Sequence, residues 1–178
     1  MPNKFAKNIY LIGMPGAGKS SVGKKLAKVL DYTFIDLDAR IEGQEKLTLS
    51  EIFASKGEAY FREAEHQCLL QTEHEQSALI ATGGGTPCYF NQLEWMNEHG
   101  LTIYLEAAPQ LLTDRIVSGE SKRPLFDGKN PEEILPFIMQ LLEARKNCYE
   151  QAKLKIKIPV NDFQTIATQA LQLLNQEA

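Results

Sequence analysis

Gly13-Met14-Pro15-Gly16-Ala17-Gly18-Lys19-Ser20 matches G-x-x-x-x-G-K-[ST] in full, a pattern whose chemistry is the cradling of nucleotide phosphates. It follows the apolar run Asn8-Ile9-Tyr10-Leu11-Ile12 and precedes an amphipathic segment, so it joins a strand to a helix. The glycines let the backbone curl until successive N–H groups point inward, and the helix N-terminus adds partial positive charge. In such a loop Lys19 reaches the β- and γ-phosphates and the Ser20 hydroxyl ligates Mg²⁺. Gly13, Gly16, Ala17, Gly18 and Ser21 complete the expected ATP contacts.

Phosphoryl transfer needs more than this loop: metal carboxylates, a base for the acceptor hydroxyl, positive charge on the γ-phosphate and exclusion of water. Phe34-Ile35-Asp36-Leu37-Asp38 reads as the end of a second strand, and ligands of open α/β sheets bind outside the carboxyl ends of the strands. Strand alternation points both carboxylates the same way, Asp36 toward the Mg²⁺ shell through water and Asp38 toward the acceptor hydroxyl. The competing reading makes Asp38 a helix N-cap and Asp36 a solvated strand end. A third strand delivers Ala81-Thr82-Gly83-Gly84-Gly85-Thr86-Pro87. Three consecutive glycines cost too much chain entropy for a casual turn and suit a ligand pressed against backbone N–H groups. The alternative is a tight turn into a helix after Pro87.

Three arginines complete the set. On a helix over 131–152, Ile134, Ile138, Leu141 and Leu142 form an apolar stripe that Arg145 and Tyr149 continue, and an arginine on a buried face wants an anion. Arg62 lies three residues before Glu65, so an intrahelical ion pair competes with a role in the cleft. If Arg62 and Arg145 both face the cleft, they clamp a substrate carboxylate. Arg123 sits in the polar, glycine-bounded stretch 118–129, whose length suggests a lid. There it would stabilise the transferring phosphoryl group.

Short apolar runs alternate with longer helical patterns, the signature of a parallel sheet with crossover helices. Strands are expected near 8–13, 33–37, 78–82, 101–105 and 154–160. The first helix spans 18–30, with Val22, Leu26, Val29 and Leu30 as its stripe. Thr48-x-x-Glu51 is a capping-box start for a short helix ended by Gly57, and a longer helix runs from Glu58 to about Glu75. Pro109 opens another to about Val117. Asn130-Pro131-Glu132-Glu133 caps the helix over 131–152, with a kink expected at Pro136, and a last helix covers 162–175.

The 178 residues suit one domain, with a substrate region over about 37–65. A net charge of −4, 43% hydrophobic and 24% charged residues argue against a broad nucleic-acid or membrane surface. Cys68, Cys88 and Cys148 are far apart in sequence and read as reduced thiols with neither disulfide framework nor zinc site. His66, His74 and His99 lack ligand spacing. With no membrane-length apolar run and no signal-peptide pattern, a cytoplasmic monomer is expected.

Taken together, the chain resembles the shikimate kinases, a branch of the nucleoside-monophosphate-kinase-like P-loop family. The resemblance runs almost end to end. It rests on the phosphate loop, Phe34-Ile35-Asp36-Leu37-Asp38, Glu51-Ile52-Phe53 through Gly57-Glu58 to Phe61-Arg62-x-x-Glu65, Thr82-Gly83-Gly84-Gly85, Arg123-Pro124-Leu125 and Arg145-x-x-x-Tyr149. It implies a three-layer α/β/α fold with a five-stranded parallel sheet of order 2-3-1-4-5. It implies Mg²⁺-dependent phosphorylation of the shikimate 3-hydroxyl by ATP in chorismate and aromatic amino acid biosynthesis. Asp38, Arg62, Gly84 and Arg145 would hold shikimate, with Gly83 and Gly85 beside them and Phe53 and Phe61 lining the pocket. Arg115 would flank the adenine and Arg123 would close from the lid. Ser21 replaces the more usual threonine, and Ile158-Pro159-Val160-Asn161-Asp162 replaces the family's Asp-Thr-containing turn, where no base contact is assigned. The alternatives are a kinase for another polyol acid such as gluconate, or a catalytically silent nucleotide- or shikimate-sensing module.

Overall fold

The computed structural model describes residues 7–119 and 124–176; Arg123 lies outside the described residues. Five parallel strands, β1 (Asn8–Ile12), β2 (Thr33–Asp36), β3 (Ala78–Ala81), β4 (Gly100–Glu106) and β5 (Leu154–Lys157), form a sheet in the order β2-β3-β1-β4-β5. This is the order that the resemblance implies. β1 is central and wholly buried, which its unbroken apolar run requires of a parallel strand covered on both faces. Asn8, the polar exception, is satisfied: its Nδ2 donates to the Thr72 and Glu75 carbonyls at 2.9 and 3.1 Å, and its Oδ1 accepts from Ala78 N at 3.1 Å.

The flanking helices are α1 (Lys19–Leu30), α2 (Leu37–Glu45), α3 (Leu49–Leu70), α4 (Gln92–His99), α5 (Pro109–Val117), α6 (Pro131–Tyr149) and α7 (Phe163–Gln176). The buried face of α1 is Lys19, Gly23, Leu26 and Ala27, whereas Val29 is exposed. The stripe is therefore rotated from the expected one. Gly23 explains the rotation: a Cβ there would lie 2.5 Å from Phe34 Cε2, so the helix presses its backbone onto the sheet at that point.

The structure corrects several expectations. The second strand stops at Asp36, and Leu37 begins α2, so Asp36 and Asp38 do not alternate along one strand. The N-cap is Asp36, not Asp38: its carboxylate accepts from Asp38 N and Ala39 N. The fifth strand ends at Lys157, three residues short of the expected bound. α3 carries the Thr48–Glu51 capping box and is broken at Gly57 (φ 84°, ψ 171°), a conformation that a side chain would strain. It ends at Leu70, with a 3₁₀ turn over Gln71–His74. α6 has its Asn130–Glu133 capping box and ends at Tyr149 rather than 152. Within 118–129, Pro124–Phe126 forms a 3₁₀ turn whose Phe126 is buried edge-on against Phe137.

Candidate active site

The register of the sheet brings two loops level. Leu11 pairs with Ala81, and the Leu11 carbonyl accepts from both Thr82 N (3.1 Å) and Thr82 Oγ1 (2.9 Å). The phosphate loop after β1 and the glycine run after β3 therefore leave the sheet side by side. Gly18 caps α1 with φ 87°, the left-handed backbone that the loop needs to turn its N–H groups inward. Lys19 is only 6% exposed, and its ammonium folds over the loop to donate to the Gly13 and Met14 carbonyls at 2.7 and 3.0 Å. Ser20 Oγ donates to Asp36 Oδ2 at 2.5 Å. Arg115, from α5, donates through Nη1 to the Gly16 carbonyl at 2.9 Å. These groups open on a cleft of about 520 Å³ whose lining includes Gly16 to Val22, Asp36, Asp38, Thr82 and Arg115. Ile158, Pro159 and Val160 line it from the far side.

Asp38 also lines a second cleft of about 800 Å³ with Glu42, Leu49, Ile116 and Phe126. It thus stands where the phosphate cleft meets a space large enough for an acceptor.

The glycine run shows the closest packing. A Cβ on Gly83 would lie 2.5 Å from Glu65 Oε1 and 3.4 Å from Asp38 Oδ1. One on Gly84 would lie 2.6 Å from Pro15 Cδ of the phosphate loop and 3.2 Å from Arg145 Nη1, and one on Gly85 2.8 Å from Arg62 Nη1. The three glycines therefore meet one candidate substrate residue each, and no other residue type leaves that room.

Arg145 is 8% exposed on the buried face of α6, with Met14 Sδ 3.9 Å from its Nη1. Tyr149, one turn on, is fully buried and donates its hydroxyl to the Gly84 carbonyl at 2.5 Å. Burial holds the Tyr149 hydroxyl well above its usual range, with the Arg145 charge pulling the other way. For Arg62 the expected intrahelical ion pair is present. Nη1 donates to Glu65 Oε2 at 2.8 Å and Nη2 to Glu58 Oε1 at 3.2 Å, while the same guanidinium faces Gly85 and stacks on Tyr89, 4.4 Å from its ring centre. Glu65 is 1% exposed and also accepts from Thr86 Oγ1 at 2.6 Å. Its burial raises the carboxyl above its usual value, opposed by Arg62 and Thr86. Phe53 and Phe61 stack on each other with ring centres 4.6 Å apart, Phe61 being part of the core.

Sequence reasoning missed Tyr89, Thr86, Met14 and Pro15. Met14 and Pro15 are variable positions of the phosphate loop that touch Arg145 and Gly84, Tyr89 touches Arg62, and Thr86 holds Glu65, contacts that no spacing announces. Among the described residues no group of His, Cys, Asp and Glu forms a metal cage, so a metal there would draw ligands from a bound nucleotide and water.

A parallel sheet with a nucleotide-phosphate loop after its first strand, Asp38 between that loop's cleft and a second one, and two arginines against the neighbouring glycine run define a P-loop phosphotransferase. The profile of the shikimate kinase family matches residues 15–175. The shikimate kinase of Parabacteroides distasonis is 42% identical over 148 residues, covering 83% of this chain and 86% of that one. The crystal structure of shikimate kinase from Bacteroides thetaiotaomicron superposes with a TM-score of 0.85 at 35% identity, over 95% of this chain and 98% of the other. Shikimate kinase from Acinetobacter baumannii, solved in complex with shikimate, gives 0.82 at 32% identity over 96% and 94%. The chain belongs to the shikimate kinase family.

Proposed function

We propose that this enzyme transfers the γ-phosphoryl group of ATP to the 3-hydroxyl of shikimate, giving shikimate 3-phosphate and ADP. The observation that carries this reading is the convergence of Asp38, Arg145, Arg62 and the phosphate-loop Pro15 on Gly83, Gly84 and Gly85. A carboxylated polyol is what a carboxylate and two fixed guanidiniums suit. Arg145 and Arg62 clamp the substrate carboxylate, the Glu58 and Glu65 contacts holding the Arg62 fork in place. Gly83, Gly84 and Gly85 admit the ring against their backbone, and Phe53 and Phe61 support the far wall.

Asp38 accepts the proton of the attacking hydroxyl. Lys19 leaves its carbonyl partners for the β- and γ-phosphates, where its charge meets the negative charge that builds as the bond breaks. Gly13 to Ser21 bind the triphosphate, Arg115 flanks the base, and Arg123 contributes further charge at the γ-phosphate. Ser20 and Asp36 are hard oxygen donors side by side at the cleft, the donor set that Mg²⁺ accepts together with phosphate oxygens and water. When bound there, the ion would neutralise charge on the β- and γ-phosphate oxygens. In this reading the protein works as a cytoplasmic monomer. No described helix is long and apolar enough to cross a membrane.

Phosphorus and proton NMR of the product made from ATP and shikimate test the reaction. A phosphate coupled to the proton on carbon 3 supports it; recovery of unmodified shikimate with no ADP overturns it.

A further inference from the structure

Tyr89 follows the 3₁₀ turn Thr86–Cys88 that closes the glycine run, and that turn packs on α3. The Arg62 guanidinium lies over the Tyr89 ring, with Cζ 4.4 Å from the ring centre. Phe90, the next residue, lays its own ring on His66, the two centres 4.9 Å apart. Arg62 and His66 are one turn apart on α3, so two consecutive aromatic residues grip one face of that helix. The geometry points to Tyr89 as the positioning residue for Arg62. By stacking on the guanidinium it fixes the plane of the fork, and with it the edge offered to the carboxylate of an acceptor.

The hydrogen bonds of Arg62 do not fix that plane by themselves. A guanidinium carries five N–H donors in one plane. Nε and Nη2 donate to a single oxygen, Glu58 Oε1, at 3.3 and 3.2 Å, and Nη1 donates to Glu65 Oε2 at 2.8 Å. Among the described residues nothing takes the second N–H of either Nη, and two such groups side by side are the fork that a carboxylate accepts. Glu58 is 59% exposed, and a solvated carboxylate tethers weakly. Glu65 is buried and itself held by Thr86 Oγ1 at 2.6 Å, but one hydrogen bond leaves the guanidinium free to turn about it. A ring against the cation stops that rotation and keeps water from the charge, the setting in which cation–π contact counts for most. Gly85 leaves the fork its room, since a Cβ there would stand 2.8, 2.9 and 3.0 Å from Nη1, Nη2 and Cζ.

The backbone is bent to place the two rings. Tyr89 is extended (φ −119°, ψ 153°), whereas Phe90 and Asn91 are left-handed, with φ of 51° and 54°. For a residue with a side chain that conformation is unfavourable, and for a bulky aromatic it is an outlier. Outliers of this kind persist where the surroundings over-determine them, and they gather at functional sites. Phe90 is 54% exposed, so burial does not compensate it. What the conformation achieves is the contact with His66 and the direction that this contact gives to Tyr89.

The effect on catalysis rests on the clamp role proposed above for Arg62; the stacking does not. Without the ring the fork can turn toward the exposed Glu58, and each binding event must order it again. The loss therefore falls on affinity for a carboxylated acceptor. The transfer step itself, carried by Asp38 and Lys19, is left alone.

A substitution series read by steady-state kinetics and NMR tests the role. Tyr89→Leu should raise the KM for shikimate about 3- to 30-fold, with kcat and the KM for ATP within about twofold of wild type. Tyr89→Phe keeps the ring without its hydroxyl and should restore the wild-type KM. The Arg62 side-chain protons should show an upfield ring-current shift that Tyr89→Phe keeps and Tyr89→Leu loses. In an Arg62→Ala background Tyr89→Leu should lower kcat/KM no further, because a residue that acts through Arg62 then has nothing to act on. A wild-type KM in Tyr89→Leu, or an equal further loss in the Arg62→Ala background, overturns the positioning role. Arg62→Ala with an unchanged KM for shikimate overturns the clamp, and the positioning role with it. If the wild-type protein does not phosphorylate shikimate, the reaction itself fails while the ring-current shift still decides whether Tyr89 holds Arg62.

Discussion

Replacing Arg145 by methionine should separate what this residue does for the ligand from what it costs the fold. Arg145 is 8% exposed, and its near polar partners are the Met14 sulfur and the Tyr149 hydroxyl. Among the described residues no carboxylate pairs with it. A guanidinium stripped of water without a counter-ion is destabilising until an anion arrives. Methionine keeps much of the apolar stem and removes the charge. Two effects of opposite sign follow. Shikimate binding should weaken by about 2–5 kcal/mol, the range for truncating one side of a desolvated charge pair. At about 1.4 kcal/mol per decade, that is roughly 30- to 5,000-fold in Kd. The unliganded protein should be as stable as wild type or more so, because the unpaired charge is gone. Calorimetry with shikimate and with ATP, and urea unfolding without ligand, read the two effects separately. A shikimate Kd within about threefold of wild type, together with a loss of unliganded stability, would mean that Arg145 is a packing residue and the reasoning is wrong.

Lys19→Ala should lower turnover by at least about 10²-fold at saturating substrates, the scale for one preorganised charge, with an unchanged circular dichroism spectrum; near-normal turnover sinks its role. Asp38→Asn keeps size and hydrogen bonding but not basicity, so turnover should fall about 10²-fold or more. Full turnover with lowered Tm would instead leave Asp38 a structural residue of α2. For Glu65, a carboxyl raised by burial binds its proton more tightly in the folded chain than in the unfolded one. Its contribution to stability is therefore full below the ordinary value of 4.5 and is lost as pH rises through the raised one. Glu65→Gln cannot titrate, so wild type should gain stability relative to the variant as pH falls from about 7 toward the ordinary carboxyl range. Urea unfolding across that interval checks the sign, and a trend in the other direction removes the burial argument.

Local patterns were legible and tertiary ones were not. The phosphate loop is eight consecutive residues, so its chemistry needs no knowledge of the fold. Arg145 and Tyr149 could be read from helical periodicity, since α6 keeps one apolar face through Ile134 and Ile138. α2 was hidden because its buried residues are Leu37 and Ile41 alone, and the two aspartates beside them imitate strand alternation. α4 is eight residues with no capping side chain to announce it. The pairing of Arg62 could be listed as an alternative but not weighed, because spacing shows that Glu65 is within reach and says nothing of Tyr89 or Gly85.

The central claim is an acceptor site built for a carboxylated polyol, and initial-rate ADP release with ATP, Mg²⁺ and a panel of acceptors tests it most directly. Shikimate, gluconate and several nucleoside monophosphates would be compared by kcat/KM on the same preparation. Shikimate should exceed every other acceptor by at least about 10³-fold, since an acceptor that cannot engage the buried Arg145 leaves that guanidinium without an anion. ADP release that is equal for all acceptors, or fastest with gluconate or a nucleotide, would contradict the account.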